Sequence, residues 1–135
     1  MTDGQPRQRS EAADKPVFDL GERTARFGEE VIRFCKAVPK NVITEPLIRQ
    51  LVKSGTSVGA NYCEADDAIS RKEFRQKIGT CKKEARESKY WLWMIAIAEA
   101  AHAENARELW KESNELHLIF ASIFRKVSTK KAQRK

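Results

Sequence analysis

The chain has 135 residues, 41% hydrophobic and 33% charged, which is the length and make-up of one compact, highly charged domain without room for a second independent core. Six glycines and four prolines are too few to turn a many-stranded sheet, so an all-β fold is excluded. The formal net charge of +7 favours anionic partners, nucleic acid or acidic membrane, and carries no information about the fold.

Residues 1–16 mix acids and bases with Gly, Pro, Gln and Ser and hold no apolar run. They read as a disordered N-terminal arm and not as a secretory signal, and a cytoplasmic protein is expected. Asp19 and Glu22 have capping-box spacing, after which Leu20, Phe27, Val31, Phe34 and Val38 recur at helical intervals until Pro39. A second helix is predicted from Thr44, as its cap, with Glu45 and Pro46 in the first turn, through Leu47, Ile48, Leu51, Val52, Val58 and Tyr62 to about Glu64.

Ser70 and Glu73 make another capping box. Phe74, Ile78, Cys81, Ala85, Ser88, Leu92 and Ile95 then follow in steps of four and three, predicting a long third helix that ends near Ala101. The fourth helix carries Ala106, Leu109, Trp110, Leu116, Phe120, Ile123 and Val127. Four amphipathic helices with short connections predict an all-α fold, an antiparallel up-and-down four-helix bundle over residues 17–127, followed by a basic C-terminal tail over 128–135. The longest apolar stretch, Tyr90 to Ala98, is about half of the roughly 20 residues a membrane span needs, so no membrane association is expected.

Three features carry more than a fold. Gly55 and Gly59 lie four apart on one face of the second helix, where each costs about 1 kcal/mol relative to alanine. Close approach of a neighbouring helix would offset that, with a kink as the alternative. On the third helix, at about 100° per residue with Arg75 as zero, Arg71, Lys72, Arg75, Lys82, Lys83, Arg86 and Lys89 all fall between about −40° and +80°. Glu73, Glu84 and Glu87 fall outside that sector. Such segregation suggests a track for an anion, against the plainer reading of a solvated charged face or one neutralised by a neighbouring subunit. Residues 70–90 carry +5, residues 125–135 carry +6, and the rest carries −4.

The third feature is the second half of that helix, where Tyr90, Trp91, Trp93, Met94, Ile97 and Ala98 make it apolar nearly all round. A bundle helix buries one stripe, so a further covering surface is expected, most simply a homo-oligomer interface through Trp91, Trp93, Met94 and Ile97. Chemistry is not indicated. Glu99 and His102 have the spacing of a di-iron motif, but it occurs once, and Cys35, Cys63 and Cys81 lack a Cys-x-x-Cys pair and read as small buried hydrophobes. Glu64, Asp66 and Asp67 read as acids flanking a turn, while Asn61 and Glu64, three apart, could hydrogen-bond across to another helix. No cofactor, metal or catalytic residue is expected.

The runs Leu51-Val52-Lys53-Ser54-Gly55-Thr56-Ser57-Val58-Gly59-Ala60-Asn61-Tyr62-Cys63-Glu64-Ala65, Ser70-Arg71-Lys72-Glu73-Phe74 and Lys83-Glu84-Ala85-Arg86-Glu87-Ser88-Lys89-Tyr90-Trp91-Leu92 resemble the 23S rRNA intervening-sequence proteins. The likeness extends from about Phe18 to about Phe124, with the family's Asn-x-x-Glu at Asn61 and Glu64, its third-helix Glu at Glu87, and Ala65 where a glycine is common. The resemblance implies an antiparallel four-helix bundle, often a ring-like homopentamer, with no established enzymatic activity. It also implies kinship with accessory proteins of diversity-generating retroelements that bind nucleic acid and a reverse transcriptase. The expected function is a non-enzymatic, homo-oligomeric bundle binding RNA or DNA through the basic stripe and the tail; the alternative is a protein–protein scaffold.

Overall fold

The computed structural model describes residues 19–134; the N-terminal arm expected over residues 1–16 lies outside them. Four α-helices follow one another: α1 (Leu20–Ala37), α2 (Thr44–Asp66), α3 (Arg71–Ala98) and α4 (Ala103–Arg134). A 3-10 turn at Ala100–His102 joins the last two.

The helix ends follow the local chemistry. The Asp19 carboxylate accepts from the Glu22 amide at 3.4 Å, while the Glu22 side chain turns to Arg26 instead of closing the box. At the other end of α1, the Lys40 ammonium donates to the carbonyls of Cys35, Lys36 and Val38, supplying donors to a helix end that has none of its own. α2 is capped one turn earlier than its sequence suggests. Thr44 is the first helical residue, and Asn41 is the acceptor, taking the amides of Ile43 and Thr44 at 2.9 Å. Ser70 caps α3 through the Glu73 amide, and Glu73 reaches back to the Ile69 amide, one residue beyond the usual partner.

α3 stops at Ala98, before the expected Ala101, because the chain breaks into the 3-10 turn after Glu99. α4 instead runs on through the segment expected as a tail, its backbone helical to Arg134.

Cross-helix contacts fix an antiparallel order. Ser88 Oγ donates to Ser54 Oγ at 2.9 Å, and Lys77 lies 3.9 Å from Glu64, so α3 descends along α2. Lys89 donates to Asn114 at 2.9 Å and Arg75 Nε to Ser128 Oγ at 2.7 Å, so α4 ascends along α3, and Ser113 Oγ donates to the Ala85 carbonyl at 2.7 Å. Ser54, Ser88 and Ser113 are buried, and each finds a partner inside the core, as buried hydroxyls must.

The core is the predicted set: Phe27, Val31 and Phe34 from α1, Leu51 and Val58 from α2, Ile78, Cys81, Leu92 and Ile95 from α3, and Leu116 and Phe120 from α4. Gly55 and Gly59 face α1. A Cβ at Gly55 would lie 3.0 Å from both Val31 methyls, and one at Gly59 would lie 3.3 Å from the Thr24 carbonyl. The α1–α4 side is looser, leaving a groove of about 980 Å3 clamped by Arg23, which donates two parallel hydrogen bonds to Glu112 at 2.8 and 2.9 Å. Glu112's hydrogen bonds hold the Arg23 guanidinium above its ordinary pKa against the opposing effect of burial. Among the described residues no helix is long and apolar enough to cross a membrane.

Candidate nucleic-acid interface

The seven cations singled out on α3 do not stand on an isolated face. They line the seam where α4 packs against α3. Lys72, Lys83 and Arg86 are exposed, whereas Arg71, Arg75, Lys82 and Lys89 are half-buried.

What holds the half-buried ones is aromatic. Phe124 of α4 lies with the Arg75 guanidinium 4.6 Å and the Lys82 ammonium 5.3 Å from its ring centroid. Gly79 makes this seat possible, since a Cβ there would meet Phe124 Cε1 at 3.0 Å. Arg75 Nε also donates to Ser128 Oγ at 2.7 Å. Further along, Lys89 sits 5.4 Å over the Trp110 ring while bonded to Asn114. Cation–π contacts and these hydrogen bonds fix long, otherwise mobile cations in place without neutralising their charge. At the start of the row, Arg71 Nε is buried with no hydrogen-bond partner among the described residues.

Between these anchors lies a groove of about 230 Å3 lined by Gly79, Lys82, Lys83, Arg86, His117 and Phe124. No carboxylate lines it. His117 Nδ1 donates to the Lys82 carbonyl at 3.2 Å, leaving Nε2 as its protonation site. Burial lowers the His117 pKa below its ordinary value, and the charges of Lys89, Lys82 and Arg86 push it the same way. The larger α1–α4 groove is a poorer anion site, because six carboxylates line it and Arg23 there is already paired.

The remaining predicted residues divide. Asn61 stays on its own helix, its amide donating to the Ser57 carbonyl at 2.9 Å, so it makes no cross-helix bond; Glu64 reaches α3 at Lys77. Glu87 accepts from the Trp91 indole at 3.1 Å. The segment read as apolar all round splits: Trp91 and Met94 are half-buried, Trp91 packing on the core, while Trp93 and Ile97 are exposed at 59% and 74%. Cys35 and Cys81 are buried, but Cys63 is exposed, against expectation, because the last turns of α2 point it outward. Burial pushes the Cys35 thiol up to about 11 and Cys81 up to about 12. Sequence reasoning missed Gly79, His117, Trp110 and Phe124 as parts of this site. Gly79 alone carried a signal, a helical glycine placed on the cationic face between Arg75 and Lys82.

Comparison with known proteins follows the same line. Among solved structures, a protein of unknown function from the S23 ribosomal protein family of Bacteroides thetaiotaomicron is similar at a TM-score of 0.69 and 26% identity, over 81% of this chain and 97% of that one. Curated proteins give no match. The family model for the 23S rRNA-intervening sequence protein matches residues 18–122, nearly the whole bundle, and the chain belongs to that family.

Proposed function

We propose that this protein binds RNA or another nucleic acid through the α3 stripe, as a non-enzymatic, cytoplasmic homo-oligomer. The observation that carries the binding reading is the groove at the α3–α4 seam, where Lys82, Lys83 and Arg86 converge and no carboxylate intervenes. Phosphate oxygens are the complement of such a row, because they offset its mutual repulsion. Binding of this kind positions a backbone and reads little sequence. The non-enzymatic reading rests on the Cys35 and Cys81 thiols, whose pKa burial pushes up, and on the Glu73 and Glu112 carboxylates, engaged at a helix cap and by Arg23. The family model ends at residue 122, so the exposed Arg125 and Lys126 of α4 lie outside the shared pattern.

Arg75 and Lys82 brace Phe124, so reversing them would disturb packing as well as charge. The informative variant reverses the exposed cations, Lys83→Glu with Arg86→Glu. Titration of labelled RNA across a salt series is expected to show weaker binding and a salt exponent smaller by about one per lost contact, with unchanged helicity. Binding unaltered by this double variant removes the stripe from consideration. That outcome would favour the second reading, a protein–protein scaffold, which has the exposed Tyr90, Trp93 and Ile97 in its favour.

A further inference from the structure

The cationic row does not end at Lys89. Steps of four and three along α3 lead from Arg75 through Gly79, Lys82, Arg86, Lys89 and Tyr90 to Trp93, all on one face of an unbroken helix. That face changes character from cationic to aromatic where Tyr90 is 49% and Trp93 59% exposed. Trp91 is tethered by its indole N–H to Glu87, and the Tyr90 ring stands edge-on to Trp91 with centroids 4.9 Å apart. Arg86 and Trp93 are two turns apart, about 10.5 Å along the axis.

A ligand that fits this sequence of groups presents anions to Lys83 and Arg86 and, within the same molecule, flat apolar faces to Tyr90 and Trp93. Unpaired nucleobases on a phosphate backbone have that composition. In an A-form duplex the bases are stacked on one another and closed to side chains, so a duplex would engage the cations and leave the rings idle. A second copy packed across a two-fold over this face is a poorer occupant, because it would bring the same cations of both subunits together.

Resting on the nucleic-acid reading above, we propose that Tyr90 and Trp93 form a stacking platform for unpaired bases, and that the nucleic acid taken by the stripe is single-stranded. Phosphates lie along Lys82, Lys83 and Arg86, and the bases beyond them turn onto the two rings.

The test compares a labelled single-stranded RNA with a blunt duplex of the same sequence, using the full chain and its Trp93→Ala, Trp93→Phe and Lys83→Glu/Arg86→Glu variants, each checked by melting and by mass in solution. Trp93→Ala is expected to weaken the single strand by about tenfold and leave the duplex unchanged, with Trp93→Phe restoring part of the loss. The charge-reversed variant is expected to weaken both RNAs. Single-strand binding indifferent to Trp93→Ala, or a loss equal for both RNAs, overturns the platform while a continuing effect of Lys83 and Arg86 keeps the binding reading. A fall in mass on Trp93→Ala identifies the rings as a subunit contact and also overturns it. Wild-type chain that binds neither RNA overturns both readings.

Discussion

Gly55 sits where two helices approach too closely for a side chain. The Cβ of an alanine there would lie 3.0 Å from both methyls of Val31, and Val31 is fully buried and β-branched, so it has one comfortable rotamer in its helix and no free space to retreat into. Alanine would gain about 1 kcal/mol of helix propensity, whereas overpacking costs typically 1–3 kcal/mol. Gly55→Ala is therefore expected to lower the unfolding free energy by about 1 kcal/mol in urea denaturation, and adding Val31→Ala should cost less than the two changes taken separately. A stabilised Gly55→Ala protein would mean that α1 yields easily. The pair Gly55 and Gly59 is legible in sequence as small residues four apart, but its partner is not, since nothing in the spacing chooses Val31 and Thr24 of α1 over residues of another helix. Cys63 was misplaced for a related reason: a cysteine is equally at home on either face of a half-buried helix end, and periodicity loses its grip in the last turn.

The elements were legible because α1 and α3 announce themselves twice, by caps at Asp19 and Ser70 and by apolar residues every three or four positions. The site was legible only in part. A helical wheel places Arg75, Lys82 and Lys89 on one side of α3, yet cannot show that this side is the seam with α4, because Phe124 and Trp110 come from another helix, nearly fifty residues after Arg75 in one case and about twenty after Lys89 in the other. His117 was hidden likewise, and its position yields a prediction. The ring sits in a groove with Lys82, Lys83 and Arg86 of α3 and Phe124 of α4; its burial, and then the charges of Lys89, Lys82 and Arg86, hold its pKa below the ordinary value. For the protein alone, the unfolded chain takes up the proton first as pH falls through about 6.5, so His117 subtracts stability on the acid side. Phosphates in the groove would offset the neighbouring cations and raise the ring's pKa, so binding would take up a proton. RNA affinity is expected to rise as pH falls from neutral toward 5.5, and His117→Gln should flatten that rise, as measured by titration at constant salt. An identical pH profile in the variant would place the phosphates away from this groove.

At the scale of the molecule, charge and apolar surface are sorted to different places. Residues 70–90 and 125–135 carry the positive excess, on the paired helices α3 and α4, while the α1–α4 groove gathers carboxylates. Part of the exposed apolar surface lies at the end of the bundle where the α1–α2 connection meets the end of α3. Asn41 there reaches Glu99 at 3.5 Å, and Val42, Ile43 and Ile97 are exposed at 84%, 61% and 74%. Three large exposed aliphatic side chains at one end, beside Lys40 and Glu99, are what a subunit contact would cover, and covering them leaves the cations of α3 open to a polyanion. The apolar reading of the second half of α3 is thus divided by depth: Trp91 and Met94 are half-buried in the subunit, while Ile97 is exposed and is the member we propose for assembly. Ile97→Asp, at a position 74% exposed, removes no core contact, so the fold should persist with an unchanged melting profile. Light scattering is expected to show the wild-type chain as a multimer and the Ile97→Asp chain as smaller species, with RNA affinity per subunit retained and apparent avidity reduced. A wild-type monomer would sink the assembly reading outright, and a variant multimer of full size would move the contact away from this end of the bundle.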